Sequence, residues 1–121
     1  VCVRVLPGPE FDWFSRFALS HFFSRAHILS NQSNRMGYRL AYHMQDYQTN
    51  QEVISSGIVP GTIQITRSGQ PIVLMADAQT TGGYPRLANV LYEDLDILGQ
   101  LKPRDEVRFE LMKNPTIAGF F

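Results

Sequence analysis

The run Ile72-Val73-Leu74-Met75-Ala76 most limits what this chain can fold into. Five consecutive apolar residues leave no polar face, so a strand made from them must be covered on both sides. Ser68-Gly69 is a turn signal before it, and Pro71 stands at its first position, where a missing N–H costs least. The run empties into Gln79-Thr80-Thr81-Gly82-Gly83-Tyr84-Pro85-Arg86. A core strand that delivers an amide, hydroxyls and paired glycines to its end is one way to build a site. Glycines admit close backbone approach, and threonine hydroxyls and exposed N–H groups donate to an anion or a carbonyl oxygen. Taken on residue types alone, a loop that merely turns the chain is the favoured reading.

Around this strand the sequence predicts others. Val1–Val5 is rich in β-branched residues and alternates. Ala26–Leu29 is a short candidate, and Met36–Tyr42 alternates loosely. Thr62–Thr66 alternates strictly and predicts a half-buried strand with Ile63 and Ile65 inward. Arg67–Gln70 predicts a hairpin and Pro60-Gly61 a type II turn. Arg86–Tyr92 and Glu106–Leu111 complete the set. Two helices are expected. One runs from about Trp13 to Phe23, capped by Asp12, with Trp13, Phe14, Phe17, Ala18 and Phe22 as an aromatic core face. The other spans Asp94 to Gln100, capped by Asp94. Glu52–Ser56 is a weak helical turn, and residues 113–121 have no clear period. Many short strands with two brief helices predict a mainly β fold, a closed or nearly closed barrel rather than a βαβ sheet.

The chain's 121 residues suffice for one domain with a single core. Eleven basic residues balance eleven acidic ones, so neither a nucleic-acid surface nor a polybasic membrane anchor is indicated. Cys2 is the sole cysteine, which removes intrachain disulfides and thiolate metal clusters from consideration and fits a reducing cytoplasm. No apolar run is long enough to span a bilayer as a helix, and no signal-peptide pattern is visible. The chain starts at once in a strand, without methionine, and is expected to be a piece of a longer polypeptide.

A second polar cluster, Ser30-Asn31-Gln32-Ser33-Asn34-Arg35-Met36-Gly37-Tyr38-Arg39, lies ahead of and within a strand. Arg35 is suited to clamp a carboxylate and Asn34 to orient a carbonyl. The competing reading is a loop whose Ser and Asn side chains bond their own backbone. His21, His27 and His43 form no ligand spacing, so no metal site is expected. No serine-nucleophile elbow, phosphate-binding loop or dinucleotide fingerprint occurs.

Four ordered strings carry more: Arg4-Val5-Leu6-Pro7-Gly8-Pro9-Glu10, Ser33-Asn34-Arg35-Met36-Gly37-Tyr38-Arg39-Leu40, Ser56-Gly57-Ile58-Val59-Pro60-Gly61-Thr62-Ile63-Gln64, and Gly69 to Arg86. Together they resemble the allophanate hydrolase subunit 2 family, also called the biotin-dependent carboxyltransferase family, which includes the C subunit of 5-oxoprolinase and the KipI antagonist KipA. The resemblance covers Val3 to Glu110. It implies a cyclophilin-like β-barrel over residues 1–112, matching the C-terminal of two tandem barrels, with 113–121 a divergent tail. Ala41 and Thr66 depart from the family pattern, which expects glycine and proline there.

The resemblance implies work beside a subunit 1 (KipI-like) partner, the A subunit of 5-oxoprolinase and the family's own N-terminal barrel. The expected role is as part of an ATP-dependent 5-oxoprolinase that opens 5-oxo-L-proline to L-glutamate. Alternatives are a KipA-like regulator that antagonises a sensor-kinase inhibitor, and a carboxyltransferase domain of the urea carboxylase type, which would bring in biotin. A peptidyl-prolyl isomerase ranks last, since fold does not imply function. In the enzyme reading Asn34, Arg35, Gln79, Thr80 and Thr81 are the expected catalytic residues. Arg35, Gly82, Gly83 and Tyr84 are expected to bind substrate, aiming donors at an amide-like carbonyl oxygen that gains charge.

Overall fold

The computed structural model describes residues 1–44, 59–78 and 83–112. Seven strands form one sheet: β1 (Cys2–Pro7), β2 (His27–Ile28), β3 (Gly37–Arg39), β4 (Thr62–Ile65), β5 (Pro71–Leu74), β6 (Arg86–Val90) and β7 (Glu106–Leu111). Their order is β2-β7-β1-β6-β4-β5-β3. Strands β1 and β7 pair in parallel, Val3 opposite Phe109, and the other pairs are antiparallel. The sheet curls until its edges meet. Leu29 and Leu40 form a bridge between the ends of β2 and β3. The Ser30 N–H donates to the Arg39 carbonyl, and the Ala41 N–H to the Ile28 carbonyl, both at 2.8 Å. Closure satisfies edge groups that an open sheet would leave unpaired. The mainly β barrel expected from the strand pattern is therefore present.

The interior is filled by side chains from every part of the sheet. Val3, Val5, Ile63, Ile65, Val73, Leu87, Val107 and Phe109 are all buried, as are Leu29 and Leu40 beneath the closing bridge. Each fully buried side chain of this size contributes roughly 1.5–3 kcal/mol. Strand β5 begins at Pro71 and is nearly all buried, as its apolar run requires. It ends at Leu74 rather than Ala76. Strand β4 differs from expectation: all four residues are buried, including Thr62 and Gln64. Alternation there separates two buried faces, one apolar and one polar. The turn before β4 is closed by the Thr62 N–H donating to the Val59 carbonyl at 3.1 Å. The hairpin after it is closed by the Thr66 N–H on the Gln70 carbonyl at 3.1 Å.

The first helix, α1 (Arg16–Phe23), starts later than the sequence suggests. Asp12 lies in a preceding 3₁₀ turn, Phe11–Trp13. Ser15 is the cap, its hydroxyl accepting the Ala18 N–H at 3.0 Å. The inward face is Ala18, Leu19 and Phe22, with Phe14 beside it, while Trp13 and Phe17 are exposed. The second helix, α2 (Leu95–Gly99), has Asp94 at its N-cap position but no capping bond. The Asp94 carboxylate instead takes the Arg4 backbone N–H at 2.7 Å and the Arg4 guanidinium at 2.8 and 3.0 Å. Strands β3 and β6 are shorter than predicted, and Tyr92 falls in a 3₁₀ turn after β6. The expected turn at Glu52–Ser56 and the tail 113–121 lie outside the described residues.

Candidate functional site

Antiparallel pairing places Gln64 of β4 opposite Ile72 of β5, and Ile72 opposite Arg39 of β3. The three side chains form one row across adjacent strands. Two strand spacings separate Arg39 from Gln64 at the backbone, about 10 Å. Gly37 and Leu74 form the next row on the same face. Above these rows lies a cavity of about 420 Å³, within the size range of small-molecule sites. Asn34, Gln32, Thr66, Ala78 and Tyr84 complete its wall with Met36. Gly37 keeps it open, since a Cβ there would come within 3.0 Å of Ile72 Cγ2.

The wall is polar but contains no carboxylate among the described residues. Arg39 is half-buried, and its guanidinium has neither a hydrogen bond nor an ion pair among them. Three other arginines are paired: Arg4 with Asp94, Arg86 with Glu10, and the exposed Arg35 with Asp77. The Asn34 side-chain carbonyl accepts from the N–H groups of Met36 at 2.8 Å and Gly37 at 3.3 Å. This Asx-type turn fixes the start of β3 and leaves the Asn34 NH₂ as its group for a ligand. Thr66 Oγ1 donates to the Gln70 carbonyl at 3.0 Å.

The sequence-predicted residues separate into groups. Asn34 and Tyr84 line the cavity. Arg35 lies between two lining residues, but its side chain is 86% exposed and its Nε sits 3.1 Å from Asp77 Oδ2. Gly83 has φ +107°, a conformation that glycine adopts without strain, with open space where a Cβ would be. Gln79, Thr80, Thr81 and Gly82 lie outside the described residues. Sequence reasoning does not single out Arg39 or Gln64. Arg39 is two residues from Gly37 on a strand and so shares its face, which is a usable signal. Alternation alone points Gln64 to solvent.

A clamp holds the wall's Tyr84 side. The Glu10 carboxylate accepts from the Arg86 backbone N–H at 2.9 Å and from its guanidinium at 2.7 and 2.8 Å. Burial pushes the Glu10 carboxyl up, but the hydrogen bonds from Arg86 outweigh it and hold it below its ordinary value. Gly8 lies against the same backbone. Its N–H donates to the Leu87 carbonyl at 2.9 Å, and a Cβ would stand 2.4 Å from the Arg86 carbonyl oxygen. The Pro7-Gly8-Pro9-Glu10 string thus fixes the point where the loop bearing Tyr84 re-enters the sheet.

The barrel is that of a carboxyltransferase-type domain. The family model "carboxyltransferase domain, subdomain A and B" matches residues 1–111, and the chain belongs to that family. It is 46% identical over 107 residues to the 5-oxoprolinase C subunit of Escherichia coli, and 41% identical over 108 residues to that of Haemophilus influenzae. These matches cover 88% and 89% of this chain but 34% and 35% of those proteins. The chain therefore spans about a third of the curated relatives it matches. Among solved structures, TTHA0988 is 32% identical with a TM-score of 0.71 over 90% of this chain and 21% of its own. The Kluyveromyces lactis urea amidolyase is 23% identical with a TM-score of 0.79 over 93% of this chain and 7% of its own, a likeness of fold.

Proposed function

We propose that this barrel is part of the C subunit of a 5-oxoprolinase and serves, within a multi-subunit complex, in the ATP-dependent opening of 5-oxo-L-proline to L-glutamate. The observation that carries this reading is the 46% identity to the E. coli protein over 107 residues. The polar cavity, which has no carboxylate among the described lining residues, supports it, because a lactam acid offers an anionic group and an amide to such a wall. Asn34 and Tyr84 orient the amide. The backbone from Gly83 back through Gly82, Thr81, Thr80 and Gln79 supplies donors to the carbonyl oxygen as it gains charge. Arg35, held by Asp77, follows Asn34 in the chain.

The described wall does not fit a magnesium nucleotide. It has one guanidinium, no lysine and no carboxylate to hold the metal. We therefore assign ATP to the partners, the 5-oxoprolinase A subunit and a subunit 1 (KipI-like) protein, in the cytoplasm, and route no step through it. The rest of the longer protein, including an N-terminal barrel, is proposed to complete the shared site. A second reading, carboxyl transfer to a urea-like nitrogen with biotin brought by another domain, is favoured by the family's description. Side-chain amides at Gln64 and Asn34 suit a ureido group as well as a lactam.

The test is ATP-dependent conversion of 5-oxo-L-proline to glutamate by the full-length protein mixed with its partner subunits, each omitted in turn. Turnover that vanishes without this protein is expected. An assembled complex without turnover removes the reading and leaves carboxyl transfer.

A further inference from the structure

Resting on the 5-oxoprolinase reading, we infer that Arg39 is the carboxylate-binding residue of the cavity, and that Gln64, two strands away on the same row, reads the ligand's amide. The ligand class is a small monocarboxylate that also carries an amide.

Three observations converge. Arg39 is half-buried on the wall without a partner among the described residues, whereas Arg4, Arg35 and Arg86 each hold a carboxylate. A guanidinium in a confined site gains most from a planar anion that accepts its N–H groups in pairs. The described wall carries this one cation and no lysine, which matches a single negative charge better than a phosphate. Finally, Gln64 lines the same cavity from β4 and is otherwise covered by protein. An amide side chain both donates and accepts, as a ligand's N–H and C=O require and a second anion would not. Ile72 lies between the two groups as an apolar floor. The spacing lets one small molecule touch both ends, since both residues line the same cavity from backbones about 10 Å apart.

The experiment is calorimetric or NMR titration of the full-length protein with 5-oxo-L-proline and with pyrrolidin-2-one, the same lactam without the carboxylate. N-acetylglycine and N-methylacetamide form an independent pair, and inorganic phosphate is a control. The wild type is expected to bind each carboxylate about tenfold or more tightly than its neutral counterpart. Arg39→Met is expected to erase that difference while leaving the melting temperature unchanged, because the guanidinium makes no bond among the described residues. Arg39→Lys is expected to recover part of it, as a point charge without the fork. Gln64→Leu is expected to weaken both members of each pair alike.

The inference is overturned by an Arg39→Met protein that keeps the carboxylate preference, by a wild type that binds neither pair, or by phosphate binding that Arg39→Met alone abolishes. Turnover in the assembled complex separates it from the reading beneath it. A complex that turns over equally well with Arg39→Met sinks the inference and spares the reading. Carboxylate binding that depends on Arg39, in a complex without turnover, does the reverse.

Discussion

Gly8 shows how one residue is dictated by what it touches. Its N–H reaches the Leu87 carbonyl, so its Cα sits against the β6 backbone, and a methyl group would lie 2.4 Å from the Arg86 carbonyl oxygen. The obstacle is backbone inside a sheet, which yields less readily than a side-chain tip. Gly8→Ala is therefore expected to cost about 1–3 kcal/mol as local overpacking, read as a lower urea midpoint with unchanged slope. A midpoint equal to wild type would show that the Pro7–Glu10 segment shifts freely. At this same scale the sequence is only partly legible. The Ser33–Leu40 string marks the right strand, but charge alone does not rank Arg35 against Arg39. What separates them is the direction each side chain takes and the nearby Asp77 carboxylate, far along the chain from Arg35.

At the scale of elements, capping and clamping decide where segments begin. The sequence reading places the cap of α1 at Asp12, but Ser15 is an equally good N-cap type. Only Ser15 has extended backbone geometry and accepts the Ala18 N–H. Ser15→Ala is expected to destabilise by about 1 kcal/mol and Asp12→Ala by much less, in matched denaturant melts. The reverse order would return the cap to Asp12. Asp94 looks like a cap by type, yet its oxygens are taken by Arg4, 90 positions away, which no local pattern reveals. The Glu10–Arg86 clamp is a largely buried pair, so removing Glu10 takes from Arg86 the carboxylate it holds. Glu10→Ala is expected to cost about 3–5 kcal/mol, and Glu10→Met with Arg86→Met to recover much of that loss. A double variant as unstable as the single would mean that the clamp adds net stability rather than fixing the loop's re-entry. Because Tyr84 lies two residues before Arg86, the single variant is also expected to weaken ligand binding in the cavity.

Across the whole molecule, the strands are legible because apolar runs and alternation are local. Their arrangement is not. The parallel pairing of β1 with β7 joins the two ends of the described chain, and either strand direction satisfies the same alternation. Closure through Leu29 and Leu40 depends on curvature that no single strand encodes. The same long-range packing sets the fold's response to acid, since three titratable groups tie separate seams. His27 is buried against Phe22, Tyr42 and Phe109. Its Nε2–H donates to the Phe22 carbonyl at 2.8 Å, and its Nδ1 has no partner among the described residues. Burial holds its pKa below the ordinary 6.5, outweighing the Phe22 bond, with the Arg25, Arg108 and His21 charges adding to the depression. As pH falls through about 6.5 the unfolded chain protonates first, so stability is full above that value and declines below it. Glu10 is depressed below 4.5 by Arg86, and Asp94 is held at about 2 by the hydrogen bonds from Arg4. Both contribute stability that is present above the ordinary carboxylate range and lost as pH falls through their folded values. All three have the same sign. The melting temperature is expected to fall in two stages, a first decline below about pH 6.5 and a second below about pH 4.5. His27→Gln, which keeps an N–H donor but does not titrate, is expected to remove the first stage and leave the second. A wild-type profile flat from about pH 7.5 to 5, or a first stage that survives in His27→Gln, would show that His27 is not the group that the folded state holds neutral.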